Sequence, residues 1–254
     1  MRFARPDTLL GLDYDGTLAP IRRRRDAAYP ARGTHQLLRE VSLRYQTLVI
    51  TGRARSDARR LLGDMPQIEI IGNHGIESTG ARLDGLEARI RVWRGLLHPH
   101  LDQTSGIEVE DKRYSLAVHY RGSRRPAAGG RRPAAAYAAI CAAAAELPGA
   151  KLVTGKAVLN ILPREAPHKG AALLAACARR GCKRAIYIGD DDTDEDVFAL
   201  DKSGKILTVR VGYRRASRAH YYVRERSDID MVLKLLLSGD PGTGLDGSRP
   251  VTRV

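Results

Sequence analysis

An α/β fold is the class that this 254-residue sequence predicts: a mostly parallel sheet with a smaller α+β block inserted into it. Three observations predict it. Short apolar runs alternate with helical spacing over residues 8–80. The rhythm changes to alternating apolar and polar residues over 106–120, with two further short strands over 151–162. From Lys169 the first rhythm returns.

The elements follow in order. Residues 8–12 are short and apolar, as a buried strand is. Residues 33–44 carry Leu37, Leu38 and Val41 at helical spacing. Residues 47–50 form a second strand that closes on Thr51-Gly52-Arg53. A helix near 56–62 and a strand at 68–71, ending in Gly72-Asn73-His74-Gly75, complete a βαβαβ series. Residues 86–101 read as a helix. Residues 106–112 and 114–120 alternate as a half-buried antiparallel hairpin does. Residues 134–147 form an alanine-rich helix, and 151–153 and 157–162 two more strands, turning at Gly155. A helix over 170–180, a strand at 185–188, a helix over 193–200, a strand at 206–211 and a closing helix over 228–237 restore the parallel pattern. The composition of 238–254, rich in Gly, Pro, Ser and Asp, predicts a flexible tail. The expected domains are 1–80 with 164–237 for the sheet, and 81–163 for the insert.

Composition narrows the function. Hydrophobic residues make up 43% and aromatic ones only 5%, so the core relies on Leu, Ile, Val and Ala. No run approaches the roughly 18 apolar residues of a membrane span. The opening Met1-Arg2-Phe3-Ala4-Arg5-Pro6 lacks a signal peptide's apolar stretch. Cys141, Cys177 and Cys182 are an odd count without metal-ligand spacing, and read as reduced thiols. A cytoplasmic protein without a membrane partner is expected. The net charge of +14 raises a nucleic-acid reading. Its arginines, however, lie scattered in pairs such as Arg59-Arg60 and Arg179-Arg180, with one block at Arg22–Arg25. No nucleic-acid partner is expected, although a positive field attracts phosphorylated substrates.

The chemistry sits at two strand ends. Asp13-Tyr14-Asp15-Gly16-Thr17 closes the first strand, and Gly189-Asp190-Asp191-Asp192-Thr193-Asp194-Glu195-Asp196 closes the strand at 185–188. Ligands of open α/β sheets sit outside such carboxyl ends. Two carboxylate clusters at one place repel unless a cation lies between them, and clustered oxygen ligands suit Mg²⁺. A carboxylate aimed at phosphorus can attack it, and a second carboxyl can give a proton to the leaving alcohol.

These residues resemble the motifs of the haloacid-dehalogenase superfamily, and more closely those of trehalose-6-phosphate phosphatases. The Leu12–Leu18 start, Thr51-Gly52-Arg53, Gly72-Asn73-His74-Gly75 and Gly189–Asp196 stand in that family's order, over about residues 8–237. The resemblance implies a Rossmann-like core with an inserted cap. It implies Mg²⁺-dependent hydrolysis of trehalose 6-phosphate through an aspartyl-phosphate. Asp13 would be the nucleophile, and Asp15 the general acid and then the base. Thr51 would hold the phosphoryl group and Lys169 neutralise it. Asp13, the Asp15 carbonyl and Asp190 would hold Mg²⁺, with Asp194 a ligand or an outer partner. Gly52, Arg53, Asn73 and His74 are candidate substrate contacts; Asn73 and His74 alternatively shape a turn.

In the insert, Glu110 with Lys112 and His119 with Arg121 resemble the family's sugar-binding pairs. Their spacing of two puts each pair on one strand face. The plainer alternatives are cross-strand ion pairs and a solvated Lys112 at the hairpin tip. Asn160 stands where the family has a sugar-binding Glu, and Leu162 where it has an Arg. That departure leaves the phosphate chemistry intact and opens the choice of sugar, so another glucosyl or disaccharide phosphate is the alternative substrate. A small-molecule sugar phosphate and a monomeric chain are the expectations.

Overall fold

The computed structural model of the chain describes residues 3, 5, 7–22, 24–78, 80, 82–101, 106–120, 132–155, 157–200, 204–238 and 252–253. They fall into two compact units, residues 1–79 with 167–254, and residues 80–166.

The first unit is built on a seven-stranded sheet. In chain order its elements are β1 (Thr8–Leu12), α1 (Arg32–Arg44), β2 (Gln46–Ile50), α2 (Arg55–Leu62) and β3 (Glu69–Ile71). After the insert come α5 (Lys169–Arg180), β8 (Arg184–Gly189), the single turn α6 (Glu195–Phe198), β9 (Ile206–Val211), β10 (Tyr221–Val223), α7 (Ile229–Ser238) and β11 (Thr252–Arg253). The strand order is β11-β10-β9-β8-β1-β2-β3, parallel except for β11. Leu12 is level with Val49 on one side and Ile188 on the other. The carboxyl ends of β2, β1 and β8 therefore form one edge, and Thr51, Asp13 and Asp190 follow directly from it.

Both faces of β1 are covered, which is why it reads as continuous apolar sequence rather than as alternation. Leu10 and Leu12 pack with Leu38 and Val41 of α1 and Val232 and Leu233 of α7. Leu9 points the other way, into a cluster with Leu173 and Ala176 of α5 and Tyr187.

The second unit is an antiparallel sheet of β4 (Glu108–Asp111), β5 (Leu116–His119), β6 (Ala150–Gly155) and β7 (Val158–Pro163), in the order β4-β5-β7-β6, with helices α3 (Leu86–Leu101) and α4 (Arg132–Ala145). Leu116, Val118, Leu159 and Ile161 pack against Ile90, Trp93 and Leu97 of α3 and Ile140 and Ala144 of α4. Residues two apart share a face, and the register aligns Glu110, Ala117, Asn160 and Val153. Glu110, His119 and Asn160 thus stand on the sheet face opposite the helices.

Several expectations are corrected. The helix read over 193–200 is a 3-10 turn at Asp192–Asp194 followed by the four residues of α6. Asp191 and Asp194 form a reciprocal cap there, so the acidic run is spent on the turn and not on a longer helix. β10 and β11 escape sequence reading because three and two residues are too few to show a period. Thr252–Arg253 pairs with Tyr221 and Tyr222, so the expected flexible tail contains a strand; the rest of 239–254 lies outside the described residues. Among the described residues, no helix is long and apolar enough to cross a membrane.

Candidate active site

Asp13 leaves β1 with its N–H donating to the Ile188 carbonyl at 2.8 Å, which fixes its direction. Its carboxylate is buried, and Lys169, the first residue of α5, donates to it from Nζ at 2.7 Å. The same ammonium donates to Asp194 at 2.8 Å. Carboxylate oxygens of Asp13, Asp190 and Asp194 lie within 4.8 Å of one another. Three acids thus face one ammonium. Burial pushes the Asp13 carboxyl well above the usual range, Lys169 pulls it back, and Asp194 and Asp190 raise it further. Burial disfavours the Lys169 charge, but Asp13 and Asp194 outweigh it and hold the ammonium protonated.

The three acids are not equivalent. Asp194 Oδ1 accepts from Lys169 and from the Tyr187 hydroxyl at 2.7 Å, while Oδ2 accepts from the N–H groups of Asp190 and Asp191, both at 2.9 Å. Four hydrogen bonds occupy it, which suits a group that shapes the loop and holds the lysine. Asp13 and Asp190 are the better placed to offer oxygens to a cation. Thr17 donates to Asp190 Oδ1 at 3.4 Å. Buried Arg210 of β9 donates to the carbonyls of Asp190 at 2.7 Å and Asp191 at 3.2 Å, and to Glu195 at 3.0 Å. Sequence reading missed Arg210 and Tyr187. The available signal was an arginine inside the apolar run of β9, since a buried cation requires acceptors.

Gly16 is required twice over. Its φ of +89° favours glycine, and a Cβ there would lie 2.1 Å from the Asp190 carboxylate. The close approach of the first motif to the fourth depends on it.

Asp15 stands apart from the metal-facing group. Arg53 grips it with two parallel bonds, Nε to Oδ2 at 2.6 Å and Nη2 to Oδ1 at 2.7 Å. Nη1 of the same guanidinium reaches Asp57 at 2.6 Å. Arg53, expected to contact substrate, is thus engaged by two carboxylates.

Thr51 is buried at the end of β2. Its Oγ1 accepts from the Arg53 N–H at 3.2 Å, which uses a lone pair and leaves the hydroxyl proton to donate. Asn73 and His74 both adopt left-handed backbone, with φ of 49° and 57°. The Asn73 N–H donates to the Arg53 carbonyl at 2.7 Å, and the His74 N–H to the Thr51 carbonyl at 2.9 Å. The imidazole lies against Gly52, where a Cβ would sit 2.6 Å from the ring. Strained backbone of this kind persists where surrounding contacts enforce it. Here it braces the Thr51-Gly52-Arg53 loop, which favours the turn-shaping alternative for both residues.

In the antiparallel unit, Glu110 Oε2 lies 2.9 Å from His119 Nε2. Lys112, just past the end of β4, donates from Nζ to Asn160 Oδ1 at 3.0 Å, and Asn160 donates to the Val153 carbonyl at 3.3 Å. Lys112 is buried rather than solvated; it lies one residue past the end of β4, and its side chain reaches Asn160 on the face that Glu110 shares. Arg121 lies outside the described residues.

The trehalose-phosphatase family model matches residues 11–227. A probable trehalose-phosphate phosphatase 4 of Oryza sativa subsp. japonica is 30% identical over 244 residues, 89% of this chain and 65% of that protein. A trehalose-phosphate phosphatase of Mycobacterium marinum is 31% identical over 219 residues, 81% of this chain and 54% of that protein. The chain therefore spans less than two thirds of the length of these curated relatives. Among solved structures, a trehalose-6-phosphate phosphatase related protein superposes with a TM-score of 0.74 at 23% identity, covering 91% of this chain and 98% of that one. The C-terminal domain of trehalose-6-phosphate phosphatase from C. albicans gives 0.74 at 21% identity, covering 92% and 93%. These structures share the fold of the chain, a parallel sheet with an antiparallel unit inserted between β3 and α5.

Proposed function

The chain belongs to the trehalose-phosphatase family, and on that premise we propose that it hydrolyses trehalose 6-phosphate to trehalose and phosphate. The observation that carries the reading is the buried Asp13 carboxylate, fixed at a strand end beside Lys169 and within 4.8 Å of Asp190 and Asp194.

An oxygen of Asp13 attacks phosphorus, and the bond from phosphorus to the sugar oxygen breaks. Asp15 gives that oxygen a proton. It then takes a proton from the water that attacks the aspartyl-phosphate, which frees Asp13 and inorganic phosphate. Thr51 donates its hydroxyl proton to a phosphoryl oxygen, and Lys169 offsets negative charge near it. Mg²⁺ is the cation proposed, held by Asp13, Asp190 and the Asp15 carbonyl. Hard oxygen donors and three acids facing one ammonium fit it. When bound, it masks the charge of nucleophile and phosphate from each other. Asp194 keeps Lys169 and the Asp190 loop in place.

Glu110, Lys112, His119, Arg121 and Asn160 are proposed to contact the sugar. A second reading keeps the chemistry and changes the sugar to another glucosyl or disaccharide phosphate. The neutral amide that Lys112 meets at Asn160 favours it, because an amide oxygen is a weaker acceptor than the carboxylate that a Glu at this position would bring. The free thiols of the three cysteines support a reducing, cytoplasmic setting. A monomer would elute at 27.9 kDa in size-exclusion chromatography.

The test is phosphate release from a panel of sugar phosphates, with and without Mg²⁺, for the parent and Asp13→Asn. Turnover of trehalose 6-phosphate above the other sugars is expected. Preference for a different sugar moves the assignment to the second reading, and turnover by Asp13→Asn removes both.

A further inference from the structure

We propose that Arg53 is a positioning residue for the proton-transfer group Asp15, and not a ligand of the substrate phosphate. The inference rests on the reading of Asp15 given above.

Three observations carry it. First, the Nε/Nη2 fork of the guanidinium is filled by Asp15, and Nη1 is bonded to Asp57. Three of the five N–H groups are used, and a phosphate could take the two-point fork only by displacing Asp15. Second, the arginine is itself held. Its side chain is 10% exposed and lies over the Tyr14 ring, with Cζ 5.5 Å from the centroid. Its N–H bonds Thr51 Oγ1, and its carbonyl accepts from Asn73. Third, Asp57, the outer anchor, is gripped by Arg60 from the far side at 2.6 Å. The line Arg60–Asp57–Arg53–Asp15 runs inward from α2 to the residue two after the nucleophile.

Parallel bonds of a planar fork to a carboxylate fix the plane of that carboxylate, which a single-point ammonium cannot do. Proton transfer depends on such orientation. In the step concerned, the bond from phosphorus to the leaving oxygen breaks with its electrons staying on oxygen. The proton of the Asp15 carboxyl passes to that oxygen, and a carboxylate remains. The fork already in place receives that carboxylate without reorganisation.

The experiment is a leaving-group series. kcat/KM is measured with Mg²⁺ for 2,4-dinitrophenyl, 4-nitrophenyl and phenyl phosphate and for trehalose 6-phosphate. The enzymes are the parent, Asp15→Asn, Arg53→Lys and Asp57→Asn. kcat/KM covers only the steps through the first bond cleavage, so later hydrolysis of the aspartyl-phosphate does not enter. A dinitrophenolate leaves without help, whereas a sugar alkoxide needs the proton.

Arg53→Lys should lose less than about 3-fold on the dinitrophenyl ester and about 100-fold or more on trehalose 6-phosphate, as loss of a placed acid does. Its profile should parallel that of Asp15→Asn, and Asp57→Asn should show the same trend more weakly. An equal loss on every ester, or a raised KM with kcat kept, would overturn the proposal in favour of a phosphate contact or a general fold defect. Should Arg53→Lys fail to fold, Asp57→Asn decides by the same slope. No turnover of any ester by the parent would instead sink the phosphatase reading. A flat profile for Asp15→Asn would remove Asp15's role and this inference with it.

Discussion

The rim of the parallel sheet and the polar face of the cap solve opposite problems with the same residue types. At the rim, buried Asp13 and Asp194 both accept from buried Lys169, and Asp190 and Asp15 are pinned by neighbouring elements. In the cap, Glu110 meets His119 across the β4–β5 pair at 2.9 Å, and Lys112, just past β4, meets Asn160 of β7 at 3.0 Å. The first arrangement suits chemistry, which needs groups held before substrate arrives. The second suits recognition, where contacts are exchanged for those of the ligand. The two regions should therefore respond differently to the same kind of substitution.

The largest effect belongs to the nucleophile. Asp13→Asn is isosteric but cannot attack phosphorus, so phosphate release should fall by at least about 10³-fold on sugar and aryl phosphates alike. Circular dichroism should report an unchanged fold. Turnover within a few-fold of the parent would end the distinction between rim and cap.

Chelator should come next. The excess of acids over ammonium at Asp13, Asp190 and Asp194 leaves like charges facing each other without a cation. EDTA should remove activity and added Mg²⁺ restore it. Mg²⁺ should also raise the Tm of the parent, and less so that of Asp190→Asn. Full activity in excess chelator would take the metal away from this site.

The rim was the more legible region, for a physical reason. Parallel strands end in loops that carry the chemistry within two or three residues of the last apolar position, so Asp13, Thr51 and Asp190 fall where a hydrophobic run stops. What escaped was support from distant sequence. Arg210, Tyr187 and Glu77 act through bonds to groups that no spacing connects to them. Glu77 bonds Asn73 Nδ2 at 2.8 Å and the Arg55 N–H at 2.7 Å, bracing the turn beneath Thr51. Arg53 was singled out through the Thr51-Gly52-Arg53 motif as a candidate substrate contact, and no spacing could show that its fork faces Asp15. In the cap, the period-two reading paired Glu110 with Lys112 and His119 with Arg121 within their strands, while the register that brings Glu110, His119 and Asn160 to one face is not legible from spacing within a strand. Lys112 lies one residue past the end of the strand at Asp111 and still reaches Asn160 on that face.

Lys112→Ala separates the two regions by substrate. It should cost about 30-fold to 100-fold in kcat/KM on the sugar phosphate and less than about 3-fold on 4-nitrophenyl phosphate. Contacts remote from phosphorus help only a substrate that reaches them. Equal losses would make Lys112 a part of the cap's own stability.

The smallest effect is the most informative about the sugar. Asn160→Glu places a carboxylate where Lys112 Nζ now donates to an amide oxygen at 3.0 Å, and it removes the donation to Val153. The extra methylene at a buried position should lower Tm slightly, since overpacking costs about 1–3 kcal/mol. Asn160→Asp, without that methylene, controls for it. If trehalose 6-phosphate is the substrate, kcat/KM should hold or rise by up to about 5-fold, because the hydroxyls facing the site gain a stronger acceptor. If a different sugar fits the neutral amide, the added charge should lower activity on that sugar while leaving 4-nitrophenyl phosphate unchanged. No change on any substrate with either variant would show that position 160 only fastens β7 to Lys112, and the choice of sugar would rest on Glu110, His119 and Arg121.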